Sequence, residues 1–123
     1  VEVGDWAIIG GLSAVQQFSK IGTHAFVGGG SLVRKDVPPF VKAAKEPISY
    51  AGINSIGLRR RGYTNERINS IQNIYRILFQ KSYNVSQAIE IIETDFEATQ
   101  ERDEILTFIR NSQTGIMKGL RLE

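Results

Sequence analysis

The chain has 123 residues, 41% hydrophobic and 23% charged, with no cysteine, one histidine and a net charge of +2. That suffices for one modest domain with a real core, and it excludes a disordered polymer, a disulfide scaffold, a thiolate zinc site, a cysteine nucleophile and a His-rich metal cluster. Residues 1–62 carry eight Lys/Arg against four Asp/Glu and residues 63–123 seven against nine, too weak a bias for a nucleic-acid binder. No apolar run approaches the roughly 18 residues of a membrane span and no signal-peptide pattern opens the chain; with no cysteine, a reducing, cytoplasmic setting is expected.

The first 36 residues keep a period of six: VEVGDW, AIIGGL, SAVQQF, SKIGTH, AFVGGG, SLVRKD. The third place is always aliphatic (Val3, Ile9, Val15, Ile21, Val27, Val33), and the first is small or modest (Val1, Ala7, Ser13, Ser19, Ala25, Ser31). Strand side chains alternate, so the first and third places share one face. One short strand and one corner per hexad gives a parallel β-helix of triangular section, with both places inward. Gly4, Gly10, Gly22 and Gly28 follow the aliphatic residue and are expected to supply turn angles closed to other residues. Two coils are expected, a stub about 10 Å tall. Because such repeats bury their apolar faces only by stacking, the chain is expected to be the C-terminal piece of a longer β-helix.

Asp36-Val37-Pro38-Pro39 is expected to stop strand addition, because two prolines remove ladder donors. Residues 40–48 read as a loop or short strand, and a helical pattern starts at about Ser49. Asn54 to Arg61 reads as a short helix closed by Gly62. Thr64 is the expected N-cap of a long helix with Ile68, Ile71, Tyr75 and Leu78 on one face. Ser86 is the expected cap of a third helix with Ile89, Ile92 and Phe96 inward. Thr99 opens a fourth with Ile105, Leu106, Phe108 and Ile109, and an irregular tail follows from Asn111. The organisation is therefore a β-helix over residues 1–38 and an α-helical domain over residues 39–123.

Three segments carry a family resemblance: Ile8 to Phe18 (IIGGLSAVQQF), Asp36 to Val41 (DVPPFV), and Asn54 with Gly57 to Tyr63 (GLRRRGY). Together the chain resembles the C-terminal portion of the acyl-carrier-protein–UDP-N-acetylglucosamine O-acyltransferases of lipid A synthesis. The resemblance implies a left-handed β-helix and a homotrimer with active sites between subunits. It also implies transfer of a 3-hydroxyacyl group from an acyl-carrier-protein phosphopantetheine thioester to the glucosamine 3-hydroxyl, without a further cofactor or metal. The family's general base and oxyanion amide lie in coils before Val1, and His24 does not align with that base. No catalytic residue is therefore expected on this chain, and His24 reads as a corner-side surface or interface residue.

The same resemblance assigns binding positions. Gln16 and Gln17 match a pair contacting the nucleotide sugar; the first is commonly His in relatives, and an amide there cannot shuttle protons near neutral pH. Asn54, Arg60 and Arg61 match contacts to the nucleotide portion, where arginine offers a bidentate fork to a pyrophosphate. Ile56 stands where relatives can carry an acidic residue. Gly11 matches a backbone position near the pantetheine arm, and Gly29 matches the acyl-length gauge. Each has a plainer alternative: corner polars for the glutamines, a solvated basic helix end for the arginines, turn or tight-corner glycines for Gly11 and Gly29. Lys20, Lys35, Lys42 and Lys45 can attract an acidic carrier protein or simply solvate the surface. Two competing functions are another sugar acyltransferase on the same prism and a non-catalytic trimerisation or carrier-docking module.

Overall fold

The computed structural model describes residues 1–45, 47–80, 83–113 and 115–119. Six two-residue strands, β1 (Glu2–Val3), β2 (Ile8–Ile9), β3 (Ala14–Val15), β4 (Lys20–Ile21), β5 (Phe26–Val27) and β6 (Leu32–Val33), pair in parallel as β1–β4, β2–β5 and β3–β6. Glu2 lies beside Lys20, Ile8 beside Phe26 and Ala14 beside Leu32, so three hexads make one coil of a three-sided prism. Ile21, Val27 and Val33 of the second coil are buried, whereas Val3 and Ile9 of the first are 50% and 38% exposed. A coil's interior is sealed only by coils on both sides of it.

The fourth-place glycines serve a purpose other than the expected one. The left-handed backbone falls on the sixth place: φ is 63° at Trp6, 59° at Leu12, 68° at Phe18, 57° at His24 and 74° at Gly30. An added Cβ at Gly4 would stand 2.6 Å from Thr23 N, and at Gly10 and Gly22 it would press on the backbones of Gly29 and Pro39. Glycine there lets successive corners approach, while a residue with φ > 0 turns the corner two places later. Gly28 meets nothing nearer than Ala44 Cβ at 3.5 Å and is under no such pressure.

Stacking also continues past the expected stop. Ile21 bridges Val37, and β7 (Val41–Ala44) pairs in parallel with β5, Phe26 beside Lys42, which adds a third, incomplete coil. The spacing between partners falls from eighteen residues to sixteen. Pro38 and Pro39 fill this shortened corner, buried, because a fixed φ near −65° suits a turn as well as it disrupts a central strand. The expected helical onset at Ser49 is instead β8 (Ser49–Ile53), antiparallel to β7. The free edge of β7 offers unpaired backbone groups, and β8 satisfies them while burying Tyr50 and Ile53. β9 (Lys118–Gly119) joins β8 in parallel.

The helices follow their caps. Asn54 caps α1 (Ser55–Arg60), and Thr64 caps α2 (Asn65–Tyr75), which runs into a π-helical turn over Arg76–Gln80. α3 (Val85–Asp95) starts two residues before the expected cap, on Asn84 rather than Ser86. Asn84 Oδ1 accepts the Gln87 N–H at 2.8 Å, and Gln87 Oε1 accepts the Asn84 N–H at 3.0 Å, a reciprocal capping box. Thr99 caps α4 (Gln100–Arg110). Ile68, Ile71, Tyr75 and Leu78 are buried on one face of the second helix, as its spacing predicts. They belong to a single core continuous with the prism interior through Phe40, Val41, Tyr50 and Ile53. Among the described residues no helix is long and apolar enough to cross a membrane.

Asp36, read from sequence only as part of the exit, is buried and ties the chain's end to the prism. It accepts the Lys20 N–H at 2.8 Å and the Ser112 hydroxyl at 2.6 Å, while its backbone pairs with Gly115 and Met117. Ser19, in an inward first place, is equally buried, yet its hydroxyl has no partner among the described residues. Desolvating an unpaired hydroxyl is costly, so Ser19→Ala is expected to stabilise the fold by about 1 kcal/mol. A rise in the urea midpoint with an unchanged m-value is the check.

Candidate functional site

The prism has three corners, and the residues assigned from sequence divide among them. Gln16 and Gln17 lie exposed on the third corner, between β3 and β4. Gln16 contributes backbone to the coil ladder, its N–H donating to Val33 O at 2.8 Å, and both side chains are exposed. Gly11 and Gly29 stack on the second corner, where the Gly30 N–H donates to Gly11 O at 2.8 Å. A Cβ at Gly11 would enter open space, whereas one at Gly29 would sit 3.2 Å from Gly11 O. Bulk at position 29 therefore presses on its own prism, while bulk at position 11 meets only what lies outside.

The first corner carries a column that sequence reading missed. Trp6, His24 and Phe40 occupy equivalent left-handed places in successive coils, with φ of 63°, 57° and 72°. The His24 N–H donates to Asp5 O and the Phe40 N–H to Thr23 O, both at 2.9 Å. The signal was present: the sixth hexad place reads Trp, Leu, Phe, His before it reaches Gly30.

Helix α1 is clamped to this column. Asn54 is 7% exposed; its N–H donates to Phe40 O at 2.7 Å, its Nδ2 to His24 O at 3.0 Å, and its Oδ1 accepts the Gly57 N–H at 3.3 Å. The amide matched to a nucleotide contact thus has a structural task in this fold, because both ends of its side chain are occupied by backbone groups. Gly57 is needed for it, since an added Cβ there would lie 2.5 Å from Asn54 Nδ2. The helix closes as expected at Gly62, φ 87°. The Gly62 and Tyr63 N–H groups donate to Arg59 O and Leu58 O, both at 3.1 Å, the Schellman arrangement.

This geometry fixes the basic end of α1. Arg60 and Arg61 are exposed, and no ion pair holds either among the described residues. Arg61 lays its guanidinium 3.5 Å above the Trp6 ring. Arg59 donates through Nε to Asn65 Oδ1 at 3.4 Å instead. Beside them Tyr63 packs edge-on to His24 at 5.2 Å between ring centroids, with its hydroxyl 3.4 Å from His24 Nε2. Arg67 lies over the Tyr63 ring at 4.0 Å and donates through Nε to the buried Glu101 carboxylate at 2.8 Å.

Burial, then the nearby positive charges of Arg61 and Arg67, lower the His24 pKa against a small opposing pull from Asp5. The imidazole is neutral at pH 7, and as pH falls below about 6.5 the unfolded chain takes up a proton that the folded chain resists. Stability is therefore present above that pH and is lost as pH drops through the folded pKa. His24→Asn keeps a residue tolerant of the left-handed corner and removes the proton. Urea midpoints for this variant are expected to vary less between about pH 7.5 and about pH 5.5 than those of the parent. A separate groove of about 610 Å³ between the first corner and α4 is lined in part by Lys20 and contains none of the residues matched to nucleotide-sugar, pantetheine or acyl contacts. Glu104 in it accepts the Thr23 hydroxyl at 2.8 Å, and burial raises its carboxyl pKa.

A family profile described as Udp N-acetylglucosamine O-acyltransferase, Domain 2, matches residues 36–117. The chain belongs to that family. An acyl-[acyl-carrier-protein]–UDP-N-acetylglucosamine O-acyltransferase of Burkholderia mallei (strain SAVP1) is 39% identical over 122 residues, covering 96% of this chain and 47% of the relative. One of that name from Thiobacillus denitrificans is 37% identical, covering 95% and 45%. Among solved structures, the UDP-N-acetylglucosamine acyltransferase LpxA of Bacteroides fragilis superposes with a TM-score of 0.92 at 44% identity, over 94% of this chain and 46% of that one. The Arabidopsis UDP-N-acetylglucosamine acyltransferase gives 0.83 at 34% identity, over 98% and 44%. The prism is thus a left-handed parallel β-helix with a helical C-terminal part. The chain spans about half the length of the relatives it matches.

Proposed function

We propose that this chain is the nucleotide-sugar-binding portion of an acyl-carrier-protein-dependent UDP-N-acetylglucosamine O-acyltransferase, working as a cytoplasmic homotrimer. The observation that carries the reading is the exposed Arg60–Arg61 pair on a rigidly clamped helix end in a chain of this family. Two guanidinium forks without carboxylate partners among the described residues suit a diphosphate. The 3-hydroxyacyl group would come from the carrier protein's phosphopantetheine thioester and pass to the glucosamine 3-hydroxyl.

The division of the assigned residues supports a site between subunits. Gln16 and Gln17 lie on the third corner, Gly11 and Gly29 on the second, and Arg61 on the first, so a second copy is needed to bring them around one ligand. Ile8, Leu12, Phe26 and Leu32 are exposed to solvent, Leu12 at 99%; an outward apolar surface of this kind suits a neighbouring prism. His24 packs against Phe40 and Tyr63 and is assigned no catalytic role.

The test is acyl transfer by the full-length protein carrying this chain, using 3-hydroxyacyl carrier protein and UDP-N-acetylglucosamine, with mass by light scattering. Transfer by a trimer is the expected result. A trimer that binds carrier protein without transferring acyl groups would instead favour a docking module.

A further inference from the structure

We propose that Trp6 is the positioning residue for Arg61, its indole holding the guanidinium where the diphosphate of the nucleotide sugar is received. This rests on the reading of Arg61 given above. Three features place the pair. Trp6 heads the first-corner column in the left-handed conformation, φ 63°, and the Asp5 carbonyl beside it accepts the His24 N–H of the coil below, so the indole stands on a fixed backbone. Arg61 is the C-cap of α1, its N–H bonded to Gly57 O and Leu58 O, so its side chain also springs from a fixed point. The two meet at 3.5 Å.

The contact leaves Arg61 able to bind. Stacking uses the face of the guanidinium, whereas a phosphate is held by the N–H groups around its edge, so an indole beneath does not compete with the anion above. A long arginine side chain free in solvent must be ordered when ligand arrives, and a side chain already ordered on an aromatic face loses less on binding. Tyr63 and Arg67 repeat the arrangement one coil along, but there Glu101 occupies the guanidinium edge. That second stack is closed and structural; in the Trp6–Arg61 stack no carboxylate holds the guanidinium edge among the described residues.

The test uses the full-length protein and the KM for UDP-N-acetylglucosamine. Trp6→Gly removes the indole while suiting the left-handed corner better than tryptophan does, so it separates positioning from folding. It is expected to raise that KM roughly two- to fivefold, as loss of an exposed cation–π contact should, with kcat and the KM for the acyl donor unchanged. Trp6→Phe should retain most of the affinity and is the variant to read if Trp6→Gly fails to fold. Combined with Arg61→Ala, Trp6→Gly should add nothing to the effect of Arg61→Ala alone. If Arg61→Ala raises KM and Trp6→Gly does not, or if the two effects multiply, the positioning role is overturned and the reading of Arg61 stands. If Arg61→Ala leaves KM unchanged, both fall.

Discussion

Arg60→Ala and Arg61→Ala in the full-length protein should each raise the KM for UDP-N-acetylglucosamine roughly ten- to a hundredfold, as expected from loss of a charge-assisted hydrogen bond of about 1.5–3 kcal/mol. Neither side chain is ion-paired among the described residues, and both are exposed at the end of α1, so the melting temperature should barely move for Arg60→Ala and fall by only a few degrees for Arg61→Ala, which also loses the Trp6 stack. That pairing of outcomes separates a ligand contact from the plainer reading of a basic helix end, where the macrodipole alone favours cations. Two unchanged KM values would return both arginines to the surface. Asn54→Ala should behave oppositely. Its amide spans His24 O and the Gly57 N–H, so its loss should lower stability, and any loss of binding would follow from displacement of α1.

Tyr75→Ala is expected to cost about 3–5 kcal/mol of stability, in the range for emptying a buried aromatic site. Tyr75 is fully buried, its ring lies 5.9 and 5.7 Å from those of Tyr50 and Phe79, which stack on each other at 4.7 Å, and it donates its hydroxyl to Pro39 O at 2.6 Å. It thereby joins α2 to the proline-filled corner of the third coil. The same burial raises its phenol pKa well above the ordinary value, so the hydroxyl remains a donor across the working pH range. Tyr75→Phe keeps the rings stacked and leaves Pro39 O without this donor, a loss of about 1–2 kcal/mol. Urea denaturation of the two variants should rank them in that order. Equal losses would mean that the hydrogen bond, and not the ring, dominates.

The period of six was readable because stacking is local in pattern and repetitive in space. Residues eighteen apart share one environment, so Val3 and Ile21, or Val15 and Val33, face the same selection for an inward aliphatic side chain. Thr64 and Thr99 were readable as caps because a cap is satisfied within its own turn. Ser86 misled because Asn84 forms a complete capping box two residues earlier, and two neighbouring polar candidates compete on equal terms until the backbone is seen. β8 was unreadable from its own residues, since its strand character comes from the open edge of β7 that it pairs with.

The sequence by itself determined the three-sided prism, its inward residues, the helix-bearing C-terminal part and the basic GLRRRG end. Each is written in a repeat or a short contiguous motif whose physics is complete within a few turns. Only the tertiary structure decided that the corner turns on the sixth place and not on the glycine. It alone showed that Asn54 is a clamp, that the assigned residues divide among three corners, and that Arg61 rests on Trp6. These outcomes depend on contacts between residues 6 and 61, 24 and 54, or 24 and 63, separations across which no sequence pattern repeats and only packing chooses the partner.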